Sequence, residues 1–275
     1  MCGASAASSA TEGPAMQLSH VQCEQYRRDG YLIFPELFSR AELAMLRDEL
    51  ARVAEINSEA VIRERTGAVL SVFRVHDMAS ATASAPYTTL QGMPCFLEPA
   101  RQVLGDRDLY IHHTKCNMKD AIEGAVWQWH QDYGSWRLDG IERPEMATFL
   151  VMLDDASEIG GCLYFLPGSH KQGRVEPVLD DKTTSYKLWC VPKQRLLEVM
   201  SELPEPVPVT GRAGTAVLFD CNLMHASGHN LSRHPRWHVY YVYNRCGNRP
   251  QDVPKPRPAW ARGQDWQPIH PAFAG

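Results

Sequence analysis

The chain has 275 residues, with 28 Lys and Arg against 32 Asp and Glu and a formal net charge of −4. That length allows a sizeable core in one large domain or two small ones, and the slightly acidic balance excludes the basic footprint of a nucleic-acid binder. No apolar run approaches a membrane span. The 8 cysteines are scattered with no CxxC pair, so neither a zinc ribbon nor a thioredoxin-type motif is indicated. With no secretory signal at the start, they read as reduced thiols of a cytoplasmic protein. Met1 to Met16 is rich in Ala and Ser and reads as a disordered tail, residues 1–16, ahead of one domain, residues 17–275.

In chain order, Ser19 is placed to cap a first helix, His20 to Asp29, stopped by Gly30. Tyr31-Leu32-Ile33-Phe34 reads as a short buried strand. Ser39 followed by Glu42 is a capping-box pattern. It opens an amphipathic helix to about Ser58, with Leu43, Leu46, Leu50 and Val53 along one stripe. Residues 59–95 have no decisive pattern beyond a strand at Val69 to Val75, and Phe96 to Leu104 reads as a short helix that Pro99 interrupts. From Tyr110 the pattern becomes strands: Tyr110–Asn117, Val126–Tyr133, Ala147–Leu153, Cys162–Leu166, Val207–Thr210, Thr215–Asp220 and Trp237–Tyr243. Turn signals such as Ile159-Gly160-Gly161 and Pro167-Gly168 separate them. An insertion from Gln172 to Glu205 contains a helix, Lys193 to Met200, and the Pro- and Trp-rich closing segment wraps the surface. Helices followed by many short strands predict an α+β chain around a β-barrel or sandwich.

Within the run Trp127-Gln128-Trp129-His130-Gln131-Asp132-Tyr133, a strand would project His130 and Asp132 from one face. An imidazole and a carboxylate so placed are two of the three ligands of the facial triad that holds non-haem Fe(II) and leaves positions open. His225, between a strand and the turn at Gly228, is the natural third. Arg236 opens the last strand 11 residues later, where alternation puts Arg236, His238 and Tyr240 on one face and Trp237, Val239 and Tyr241 on the other. If the first face lines the barrel, Arg236 is a buried cation needing an anion, and a fork to a carboxylate suits it.

These residues, with Gly160-Gly161-Cys162-Leu163, Pro167-Gly168-Ser169-His170, Phe219-Asp220-Cys221-Asn222-Leu223-Met224-His225 and Tyr241-Val242-Tyr243-Asn244, occur in the order of a known family. The chain resembles the phytanoyl-CoA dioxygenase family of Fe(II)/2-oxoglutarate oxygenases, and within it the ectoine hydroxylase branch, over residues 110–248. The resemblance implies a double-stranded β-helix, with His130, Asp132 and His225 binding iron. It implies that Arg236 grips the distal carboxylate of 2-oxoglutarate, that Ser227 helps hold it, that Asn117 contacts the cosubstrate and that Trp136 lines the substrate site. O2 would be the second cosubstrate, and oxidative decarboxylation to succinate and CO2 would accompany hydroxylation of a small molecule. Asp132 argues against halogenation, because halogenases of this class place Gly or Ala there. Tyr133-Gly134-Ser135-Trp136-Arg137 departs from the acidic, aromatic stretch of the ectoine branch, which sets ectoine itself aside as the expected substrate. Arg137 hints instead at a substrate carboxylate or phosphonate, as in an amino acid or natural-product intermediate.

Other features read more plainly. His170 follows Pro-Gly-Ser and reads as a loop residue. His112, His113, His229 and His234 have no carboxylate at ligand spacing, whereas His238 shares the face of Arg236, and Lys115 shares that of Asn117. Gly160-Gly161 lacks the strand-to-helix context of a phosphate loop. Three rival functions stay open: desaturation, cyclisation, epoxidation or demethylation on the same iron; a metal-binding barrel without turnover, which would not need Arg236; and a carrier-linked substrate. The expected assembly is a monomer or homodimer, without nucleic-acid or membrane partners.

Overall fold

The computed structural model of the protein describes residues 17–182 and 187–272. The tail expected at residues 1–16 lies outside them. The elements run α1 (His20–Asp29), β1 (Tyr31–Phe34), α2 (Arg40–Ala54), β2 (Val61–Arg63), β3 (Val69–Phe73), α3 (Ala85–Gln91), α4 (Pro94–Leu104), β4 (Leu109–Lys119), β5 (Trp127–His130) and α5 (Asp132–Trp136). There follow β6 (Met146–Met152), β7 (Leu163–Phe165), β8 (Val178–Asp180), β9 (Leu188–Cys190), α6 (Lys193–Glu202), β10 (Val207–Val209), β11 (Ala216–Asp220), β12 (His225–Ser227) and β13 (Arg236–Arg245).

Ser19 and Ser39 cap α1 and α2 through complete capping boxes with Gln22 and Glu42. The apolar stripe of α2 is buried, but the helix ends at Ala54, short of Ser58. The next position on the stripe is Asn57, which is exposed, so no burial rewards another turn. Helix α4 starts earlier than expected, with Pro94 in its first turn, and runs through Pro99 unbroken. An interior proline costs roughly 3 kcal/mol, but burying Phe96, Leu97 and Leu104 returns roughly 1.5–3 kcal/mol each, and burial wins.

Strands β1-β11-β6-β13-β4-β3-β2 form a seven-stranded sheet and β10-β7-β12-β5 a four-stranded one, with every pairing antiparallel. Alternation divides the buried strand β6 between two cores. Ala147, Phe149 and Val151 pack against α2, α3 and α4, while Leu150 and Met152 meet Leu163 and Phe165 of the smaller sheet. Strand β13 does the same, sending Val239, Tyr241 and Tyr243 to the helices. This is the mixed, cupin-like double-stranded β-helix arrangement, with helices on one face of the large sheet and the small sheet on the other.

Candidate active site

Strands β5 and β12 pair with His130 opposite His225, which sets their rings 4.1 Å apart between centroids. Each ring is fixed by its own backbone: His130 Nδ1 lies 2.7 Å from the Gln128 carbonyl and His225 Nδ1 2.9 Å from that of Leu223. A carbonyl only accepts, so Nδ1 carries the proton and the Nε2 lone pair is left for a metal. Asp132 Oδ1 stands 3.8 Å from His130 Nε2 and 3.9 Å from His225 Nε2. The three ligand atoms lie within 4.8 Å of one another and form the one such metal-binding group among the described residues.

One expectation about this site fails in its local structure. The strand stops at His130 instead of reaching Tyr133, and Asp132 opens the short helix α5. Long-range anchors force the change. Between the two ligands, the buried Gln131 side chain donates to Gly173 and Asn222 carbonyls at 2.8 and 2.7 Å and accepts from Val175 N–H at 2.8 Å. The helical turn then buries Tyr133 and Trp136 with Ile141, Met146, Cys221 and Val242. Asp132 thus faces the histidines from a helix start rather than from their strand.

The inner face of the large sheet supplies the other half of the site. Strands β4 and β13 pair Arg236 with Lys119, His238 with Asn117 and Tyr240 with Lys115, so two polar ladders lie side by side. Arg236 is 1 % exposed; its Nη1 donates to His238 Nδ1 at 3.0 Å, and no carboxylate pairs with it among the described residues. Burial lowers the pKa of Arg236 and keeps His238 neutral. Lys119 was missed by the sequence reading. It is buried, donates to Ser227 Oγ at 3.2 Å and to the Gly161 and Gly228 carbonyls, and is pulled down to about 6 by burial and by Arg236. Gly161 is required there: its φ is +67°, and a Cβ would meet the His229 and Gly228 carbonyls at 2.6 and 2.7 Å. Ser227 and Asn117 are buried on the same chamber, Asn117 accepting from Ser71 at 3.0 Å.

The chamber is lined by the triad, Asn117, Ser227, Tyr240, Trp136 and Thr148. Arg236 stands just outside that lining, linked to it through Tyr240. Trp136 is buried at the chamber wall. Arg137 is not: the helical turn carries it to the exposed side, outside the lining of the chamber. His170 sits in a single 3-10 turn, Ser169–Gln172, instead of the expected loop, with Nε2 3.2 Å from the Arg27 carbonyl, and the exposed His229 bonds the Gly124 carbonyl.

The donor set fits the groups that such a site would hold. Two imidazoles and one carboxylate on one side of a point suit octahedral iron with three positions open. Asp132 is pushed up by burial and drawn down by His225 and Lys115; a cation beside it keeps it ionised. At the other end, Arg236 Nε, His238 Nε2 and Thr148 Oγ1 are buried with no hydrogen-bond partner among the described residues. A buried guanidinium, a lysine that burial strips of its proton and orphaned polar atoms are costly unless an anion joins them, and a dicarboxylate spanning from metal to Arg236 answers both ends.

The phytanoyl-CoA dioxygenase (PhyH) family pattern matches residues 26–237. An ectoine dioxygenase from Nocardia farcinica is 32% identical over 263 residues, 90% of this chain and 86% of the relative. L-proline trans-4-hydroxylase from Streptomyces griseoviridis is 31% identical, covering 91% of this chain and 94% of the relative. Among solved structures, EctD from S. alaskensis with 2-oxoglutarate and 5-hydroxyectoine superposes with a TM-score of 0.80 at 28% identity, covering 97% of this chain and 91% of that one. The chain belongs to the phytanoyl-CoA dioxygenase family and is an Fe(II)/2-oxoglutarate-dependent oxygenase acting on a small molecule.

Proposed function

We propose that His130, Asp132 and His225 hold Fe(II), that Arg236, Lys119, Ser227 and Asn117 hold 2-oxoglutarate, and that the enzyme hydroxylates an unactivated C–H bond of an amino-acid-like or natural-product intermediate in the cytoplasm, as a monomer or homodimer. The observation that carries this reading is the pairing of a three-ligand cluster with a buried, carboxylate-free Arg236 on the same barrel interior. Bound iron and 2-oxoglutarate supply O2 activation, releasing succinate and CO2. The chain's own residues orient and exclude. The Nδ1 bonds lock both histidines as Nε2 donors, and Gln131 holds Asp132 in place. Lys119 regains its proton when a carboxylate comes between it and the Arg236 guanidinium, so cosubstrate binding relieves a cost built into the fold. Trp136 and Trp127 wall the chamber against water and set the approach of the substrate. Succinate release from 2-oxoglutarate tests the reading. It is expected to depend on Fe(II) and to rise when a substrate is supplied from a panel of cyclic amino acids and their derivatives. Release unaffected by iron would overturn it.

A further inference from the structure

Beside the iron chamber lies a second cavity of about 420 Å³ that shares His113, Lys115, Trp127, His130, Asp132 and Trp136 with it. A ligand pocket for a drug-sized molecule measures roughly 300–1,000 Å³, so the outer cavity alone has room for more than an amino acid. Its wall is a relay of ring contacts leading away from the iron: Trp136 to His113 at 6.3 Å, His113 to Phe73 at 5.4 Å and Phe73 to Trp260 at 5.4 Å. Trp189 and Leu179, from the β8–β9 hairpin, line it too.

The far end of this wall belongs to the closing segment, which is pinned in place. The Arg257 guanidinium holds the fully buried Asp139 carboxylate at 2.6 and 2.7 Å, and Arg257 N–H donates to the same group at 2.8 Å. His113 Nδ1 bonds the Ala261 carbonyl at 2.8 Å, and Gly263 N–H donates to the His112 carbonyl at 2.7 Å. Gly263 permits that approach: a Cβ there would meet the Ile111 carbonyl at 2.1 Å. A β-bulge in β4 opposite Val242 and Tyr243 brings the neighbouring His112 and His113 both against Trp136.

Aromatic walls accept either a ring or a cation. Here Lys115 and Lys187 line the cavity beside an Arg257 already paired with Asp139, and the one carboxylate in the lining is the iron ligand Asp132, so the wall disfavours a cationic guest. We infer that the outer cavity is a substrate subsite for an aromatic or similarly flat ring carried by an anionic substrate, with Trp260 and Trp189 as its specificity-determining residues. The inference rests on the oxygenase reading of the inner chamber, and deepens it: the substrate is larger than a free amino acid and reaches from the iron to the closing segment.

N-benzoylglycine, N-acetylglycine and benzyltrimethylammonium separate ring, head group and charge. Each is titrated against the holoenzyme with Fe(II) and 2-oxoglutarate without O2, reading the visible charge-transfer band, and against metal-free protein, reading tryptophan fluorescence. N-benzoylglycine is expected to bind about tenfold or more tighter than N-acetylglycine, with no binding of benzyltrimethylammonium. Trp260→Ala and Trp189→Ala should each erase most of the ring preference while leaving the charge-transfer band intact. Equal affinity for the two acylglycines, preference for the cation, or retention of the ring preference in both variants overturns the inference. Absence of the band with ring preference kept in fluorescence would sink the oxygenase reading instead.

Discussion

Replacing Lys119 by Met isolates the second cation of the cosubstrate site without changing side-chain bulk much. Lys119 is buried, held at about 6 by desolvation and by Arg236, and bonded to Ser227 Oγ at 3.2 Å. A hydrogen bond to a charged group contributes about 1.5–3 kcal/mol, so its loss should weaken 2-oxoglutarate binding about 10- to 150-fold. Iron binding should stay unchanged, because the lysine touches none of the three ligands. Linkage gives an independent readout. A lysine whose folded pKa is depressed leaves the unfolded chain binding more protons between about pH 6 and the ordinary lysine range near 10.4. Stability of the 2-oxoglutarate-free protein therefore rises with pH across that window, with Lys119 contributing at most about 1.4 kcal/mol per pH unit. Lys119→Met should remove that contribution in urea unfolding at pH 7, 8 and 9. An anaerobic titration showing unchanged 2-oxoglutarate affinity, or an equal loss of iron affinity, would refute the reasoning.

Three further outcomes are expected. Gln131→Leu leaves the Gly173 and Asn222 carbonyls without their donor and frees the helix start that carries Asp132; Fe(II) affinity should fall about 10- to 100-fold, read by competition with a chelator. Asp139 sits fully buried against Arg257 and His112, which overcome the upward push of burial and hold it well below the ordinary aspartate range. Its contribution to stability is therefore present above about pH 4 and lost as pH falls below it. Asp139→Asn should cost about 3–5 kcal/mol at pH 7, less at pH 3, by chemical denaturation. Arg137→Ala, at an exposed position away from the chamber, should leave substrate-stimulated succinate release within about twofold.

The chemistry of the site was legible where it depends on local spacing. His130 and Asp132 form a short-range motif, and the period of two in β13 correctly placed Arg236, His238 and Tyr240 inward and Val239 and Tyr241 outward. What escaped depends on contacts distant in sequence. The turn into α5 is dictated by Gln131 bonding to Gly173 and Asn222, which no window around residue 131 contains. Lys119 looks like any solvated lysine until the register sets it opposite Arg236. The alternation of Lys115 and Asn117, carried two residues further, was the available signal. The β8–β9 hairpin inside the 172–205 insertion is three residues a side, too short for periodicity to show. The role of the closing segment rests on contacts distant in sequence, among them the buried ion pair of Arg257 with Asp139, separated by 118 positions.

The central claim is that one barrel interior holds iron at His130, Asp132 and His225 and a 2-oxo acid reaching toward Arg236. Its most direct test is an anaerobic optical titration of the purified protein with Fe(II) and 2-oxoglutarate. The account predicts a weak visible charge-transfer band that saturates at one equivalent of each, is lost or displaced in Asp132→Ala, and needs far more 2-oxoglutarate in Arg236→Ala with iron affinity retained. A wild-type protein that binds iron and shows no such band, or an Arg236→Ala protein that titrates like wild type, would contradict it.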